Sequence, residues 1–153
     1  GFDAGGSDRK VSAVIDGECV YSEEVIWFPK LNEDPDYHYG HILEAFKTAA
    51  SKMPRVDAIG VSSAGDYINN EPRVASLFIK VPRENWDKVK TIYDRAGAAV
   101  NPDAPLLVAN DGDVSALAGA IGLGARNSLG AIIISVVGAC VIILVGRFLF
   151  GKK

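Results

Sequence analysis

Lys10-Val11-Ser12-Ala13-Val14-Ile15-Asp16-Gly17-Glu18-Cys19-Val20-Tyr21 is the stretch whose reading decides the fold. Residues 10–16 and 19–28 are two runs rich in β-branched and aromatic side chains, and Asp16-Gly17 lies between them. Asp-Gly favours a two-residue hairpin turn because both positions tolerate the left-handed backbone it requires. An antiparallel pair therefore opens the domain. Further on, Tyr39, Ile42, Leu43, Phe46, Ala49, Ala50 and Met53 recur at three- and four-residue spacing, a helical face that Pro54 ends. Residues 32–37 before it, with Pro35 and two acids, read as a loop.

The remaining segments alternate. Residues 56–62 predict a short apolar strand and residues 74–81 another. Residues 82–100 predict a second helix, with Trp86, Val89, Tyr93 and Ala96 on one side. Residues 105–109 predict a buried strand, and residues 114–123 a helix of small residues suited to close packing. A hairpin followed by alternating helices and strands implies an α/β fold with a mixed sheet.

The chain has 153 residues, 48% apolar and 23% charged, enough for one domain with a real core. Its net charge of −3 is unevenly spread: residues 1–113 hold all 19 acids and 12 of the 16 bases. No basic cluster accompanies aromatic residues, which argues against nucleic-acid binding. Cys19 and Cys140 lack metal-ligand spacing and read as buried thiols of a reducing, cytoplasmic compartment. Residues 129–146 carry no charge over 18 positions. Gly138-Ala139 divides that run into two pieces of strand length, so a buried apolar β-hairpin and a C-terminal membrane anchor both stay open.

Two constellations carry chemistry. Asp3-Ala4-Gly5-Gly6-Ser7-Asp8 combines carboxylates with a glycine pair and a hydroxyl. Backbone without Cβ atoms can approach a polyphosphate, Ser7 offers a hydroxyl, and Asp3 or Asp8 can hold Mg²⁺ directly or through water. A tight solvent-facing turn would look the same. The Gly-Lys-Ser/Thr ending of a Walker loop is absent. Asn110-Asp111 follows an apolar strand and precedes a helix, where open α/β sheets bind ligands. Asp111 is placed to take a proton from a substrate hydroxyl, or else Asp111 or Asp113 caps the helix. Gly60–Gly65 is a third turn at a strand end. His38 and His41, three residues apart with no third ligand, read as core-edge or solvated side chains rather than a metal site.

In order along the chain, Gly1-Phe2-Asp3-Ala4-Gly5-Gly6-Ser7, the hairpin, Ile59-Gly60-Val61-Ser62-Ser63-Ala64-Gly65, Asn110-Asp111 and Gly122-Leu123-Gly124 resemble the N-terminal lobe of ROK-type sugar kinases. More broadly they resemble the actin-like ATPase and sugar-kinase superfamily. The resemblance implies a ribonuclease-H-like lobe over residues 1–128, with ATP and Mg²⁺ as cofactors and a sugar as acceptor. It implies that Asp3, Gly5, Gly6, Ser7 and Asp8 contact nucleotide and metal, that Gly65 and Asn110 contact the sugar, and that Asp111 is the catalytic base. The family then carries a Gly-Thr-Gly-rich phosphate turn and a second lobe. Here Ser135-Val136-Val137-Gly138-Ala139-Cys140-Val141 stands at that turn, where valine resists positive φ. The expectation is a truncated or engineered kinase lobe without turnover of its own, followed over residues 129–153 by an apolar hairpin or helix. Residues 131–145 would be a surface for homodimer pairing. A designed scaffold that inherits these turns is the alternative.

Overall fold

The computed structural model describes residues 1–120. Strands β1 (Phe2–Ala4), β2 (Asp8–Ile15) and β3 (Glu18–Ile26) lead through a short 3-10 turn at Pro29–Leu31 into helix α1 (Pro35–Ala50). β4 (Ile59–Ser63), β5 (Asp66–Ile68) and β6 (Glu71–Val74) follow. Next come helices α2 (Trp86–Lys90) and α3 (Ile92–Ala98), strand β7 (Leu106–Asn110) and helix α4 (Asp111–Ala120). The architecture is mixed α/β.

The main sheet has the order β3-β2-β1-β4-β7, and β5 and β6 form a separate hairpin. β2 is antiparallel to both β1 and β3, whereas β1, β4 and β7 run parallel. Asp16 and Gly17 take φ of 51° and 85°, as the Asp-Gly turn requires. The register sorts the side chains by face, since successive strand residues point to opposite sides. Val11, Phe2, Val61 and Val108 form one row across the sheet, and all four are buried. The neighbouring row, on the other face, is Lys10, Asp3, Ser62 and Ala109. α1 covers the apolar row, where Phe46 meets Phe2 edge-on with ring centroids 5.4 Å apart.

Several segments depart from the sequence expectation. α1 starts at Pro35 rather than after a loop: Asp34 accepts the Asp36 N–H as N-cap and proline occupies the first turn. Residues 74–81 are not a strand. β6 ends at Val74, and Ala75 and Phe78 accept main-chain bonds from Phe78 and Val81, so the apolar side chains follow a three-residue period. The single helix over 82–100 is two. Thr91 sits at φ −103°, ψ 11°, outside helical geometry, while the apolar face continues across it through Val89, Ile92, Tyr93 and Ala96. Cys19 is exposed on the outer strand β3, where its Sγ donates to the Tyr21 carbonyl, so the buried-thiol expectation fails for it. His38 is fully buried, not solvated, with Nδ1 at 2.9 Å from the Asp34 carbonyl and Nε2 at 2.9 Å from that of Pro29. The hairpin-or-anchor segment 129–146, its dimer surface and Cys140 lie outside the described residues. Among the described residues no helix is long and apolar enough to cross a membrane.

Candidate functional site

The parallel strands β1, β4 and β7 end on the same side of the sheet, and their ends bring the two sequence constellations together. Asp3 pairs with Ser62, and Ala4 with Ser63, which pairs in turn with Asn110. Gly5, Gly6 and Ser7 therefore leave β1 beside the turn at Gly65 and the start of α4 at Asp111. Asp3 is largely desolvated, which raises its carboxyl above the ordinary aspartate range. Lys10 and a hydrogen bond to Ser62 act in the opposite direction, and the Asp111 charge adds to the rise. The two carboxylates thus feel each other.

The first glycine turn is held from below. Trp27 is buried, and its indole N–H donates to the Gly5 carbonyl at 2.8 Å. Its main-chain N–H donates to the Ser7 carbonyl at 3.1 Å. A Cβ on Gly5 would lie 2.6 Å from the Asp8 carbonyl oxygen, so that position admits only glycine without a shift of main chain. A Cβ on Gly6 would meet only the end of the Lys30 side chain, at 2.8 Å. Lys30 therefore brings an ammonium against the exposed glycine of the turn, and it makes no ion pair among the described residues. Ser7 donates its hydroxyl to Asp8, and Asp8 is paired with Lys10, which together hold the Asp8 carboxyl below its ordinary range. Asp8 is thereby committed to a cation of the protein itself.

The second turn is held from above. Gly65 takes φ of 139°, and a Cβ there would approach the Val74 carbonyl oxygen at 2.4 Å. Asn110 ties this turn to the helix: its Nδ2 donates to the Gly65 carbonyl at 2.8 Å, and its Oδ1 accepts the Gly112 N–H at 2.7 Å. The residue that caps α4 through this bond is Asn110. Asp111 stands exposed in the first turn, its Oδ1 accepting the adjacent Gly112 N–H at 2.9 Å. A carboxylate there is favoured by the helix dipole and open to a ligand.

No protein-family model and no curated protein matches this chain.

The sequence-predicted residues Asp3, Gly5, Gly6, Ser7, Asp8, Gly65, Asn110 and Asp111 all gather at this end of the sheet. Sequence reasoning missed Trp27, Lys30 and Tyr67. Trp27 ends the second hairpin run and was read as part of it, although an indole whose N–H needs a partner is a signal for an inward turn. Mg²⁺ takes oxygen ligands and keeps several waters, so one or two carboxylates suffice. Asp3, desolvated and near Asp111, fits such a cation, which would relieve the burial of its charge. Asp8 does not fit, because Lys10 holds it. Among the described residues no group of three or more His, Cys, Asp or Glu side chains could hold a metal.

Proposed function

We propose that this chain is a ligand-binding lobe of the ROK-type sugar-kinase kind, with a ribonuclease-H-like sheet that presents polyphosphate and sugar to one another. The observation that carries this reading is the meeting of Asp3, the Gly5-Gly6 turn and Asp111 at the ends of three adjacent parallel strands. The strand order β3-β2-β1-β4-β7, with β2 reversed, supports the fold assignment.

In this reading the nucleotide phosphates lie against the Gly5–Ser7 turn. Gly6 leaves the approach open, and the Lys30 ammonium lies alongside to meet negative charge. Asp3 holds Mg²⁺ through water. When bound, Mg·ATP supplies the phosphoryl group and neutralises its charge. Asp111 accepts the proton of the sugar hydroxyl as that oxygen attacks phosphorus, and Asn110 keeps the Asp111 end of the helix and the Gly65 turn in fixed relation. Alignment of donor and acceptor in such kinases comes from closure of two lobes. The activity assigned to this lobe is accordingly binding, with turnover reserved for its pairing with a second lobe.

Calorimetric titration of Mg·ATP into the chain tests the proposal. Saturable binding that disappears in Asp3→Ala is the expected result. Absence of heat from a folded sample would overturn it and leave the turns as scaffold.

A further inference from the structure

A cavity of about 330 Å³ lies beside the Gly65 turn and the outer edge of β7, and its lining includes Gly65, Asp66, Tyr67, Asn110 and Asp113. Behind it runs a buried chain of hydroxyls for which the phosphate site has no use. Tyr93, fully buried on α3, donates its O–H to Ser63 Oγ at 3.1 Å. Ser63, also fully buried, lies 2.6 Å from the Tyr67 hydroxyl.

The direction of this chain follows from proton counting. A serine hydroxyl has one proton, and Ser63 already accepts from Tyr93, so its own proton goes to Tyr67. The reverse order would leave the buried Ser63 proton without an acceptor among the described residues. Tyr67 then keeps its proton, and the only internal acceptor near it is the Ala64 carbonyl at 3.4 Å, a long contact. Burial and the Asp111 charge raise the Tyr67 hydroxyl above the ordinary tyrosine range, which keeps that proton in place. Accepting one hydrogen bond also makes a hydroxyl a better donor of the next.

The other polar groups of the cavity suit a hydroxyl-bearing partner. Asn70 Nδ2 donates to the Leu106 carbonyl and Asn70 Oδ1 accepts the Val108 N–H, so the even-numbered residues of β7 face outward. By strand alternation the Val108 carbonyl and the Asn110 N–H are the next outward groups, an acceptor and a donor beside the cavity. Asp66 and Asp113 add two carboxylates, and no Lys, Arg or His lines the cavity.

We infer that Tyr67 is a ligand-binding donor, positioned by Ser63 and Tyr93, in a cavity that accepts an uncharged polyol and rejects an anionic one. This rests on the sugar-kinase reading and adds to it a residue and a selectivity. The carboxylates accept ligand hydroxyl protons, Tyr67 donates to a ligand oxygen, and the unbalanced negative charge repels carboxylate or phosphate on the ligand.

The test is an amide-resolved NMR titration of the full chain with glucose, galactose and mannose, then with their 6-phosphates and uronic acids. At least one uncharged hexose should bind saturably, shifting Gly65, Asp66 and Asn110. Its charged derivatives should bind at least about tenfold more weakly. Tyr67→Phe should weaken the hexose about tenfold, the loss of one hydrogen bond. Ser63→Ala should weaken it less, with the melting curve as a control for folding. Asp66→Asn with Asp113→Asn, both at exposed positions, should narrow the gap between hexose and hexose 6-phosphate. Failure of all three hexoses to bind, equal binding of the charged derivatives, or wild-type affinity in Tyr67→Phe would each overturn the inference. Mg·ATP titrated into the same sample separates the two claims: nucleotide binding without hexose binding sinks this inference alone, and the opposite pattern sinks the phosphate assignment alone.

Discussion

Two glycine turns close the same end of the sheet, and they differ in what fills them. The Gly65 turn is packed by its own chain: its φ of 139° and the Val74 carbonyl leave no room for a Cβ, and Asn110 bonds its carbonyl. The Gly5-Gly6 turn has neither glycine at positive φ, is fastened beneath by Trp27, and meets only a flexible lysine above Gly6. The first kind of turn fixes geometry; the second leaves backbone exposed. A glycine in a sequence does not distinguish them, because the difference lies in which distant segment arrives over it.

Substitutions can break or sharpen that contrast. The largest effect is expected at Gly65→Ala, which combines a backbone region forbidden to alanine with a main-chain clash. A loss of about 3 kcal/mol in urea unfolding is predicted. Gly5→Ala should cost about 2 kcal/mol, since the Asp8 carbonyl must move. Trp27→Phe keeps most of the apolar contact but removes the donor to Gly5. About 1 to 1.5 kcal/mol of stability should go, together with most of the affinity for Mg·ATP, because the turn loses its anchor.

Asp3→Asn should act in the other direction. A carboxyl whose folded pKa is raised binds more protons folded than unfolded across the window above 3.8. Its contribution is therefore fully present below the unfolded value and is lost as pH rises through the folded one. At pH 7 the wild type carries this cost and the amide does not. The variant should be more stable by about 0.5 to 1 kcal/mol at pH 7, with the difference shrinking in acid, while metal-dependent nucleotide binding is lost. Thermal melts at pH 7 and pH 4 check the sign. Gly6→Ala should have the smallest effect on stability, under about 0.5 kcal/mol, because Lys30 can swing aside. Its nucleotide affinity should nevertheless fall. Equal destabilisation by Gly6→Ala and Gly65→Ala would erase the distinction between the turns.

How much of this was legible in the sequence depended on the range of the interactions involved. Asp16-Gly17, the α1 apolar face and the apolar strand ending at Asn110 declare themselves locally, and the structure places them as expected. The Asp34-Pro35 helix start was also locally encoded, as an N-cap followed by a first-turn proline, but the acids and proline read as loop. Residues 74–81 were misread because four apolar residues in a short span fit a strand or a 3-10 turn equally, and only burial by α1 and its neighbours decides. At the site, the sequence named the carboxylates and glycines because residue type limits their chemistry. It did not reveal that Asn110 is bonded on both sides of its amide, that Asp8 is held by Lys10, or that Tyr67 ends a buried hydroxyl chain. Those facts depend on segments up to 45 residues apart meeting at one sheet edge.

The central claim is that the Gly5–Ser7 turn is an open phosphate site and the Gly65 turn is a closed structural one. Titration of Mg·ATP followed by backbone amide NMR tests it directly. The account predicts saturable shifts at Gly6 and Ser7 that vanish in Asp3→Ala, with the Gly65 amide unmoved. No shift at Gly6 and Ser7, or an equal response at Gly65, would contradict it.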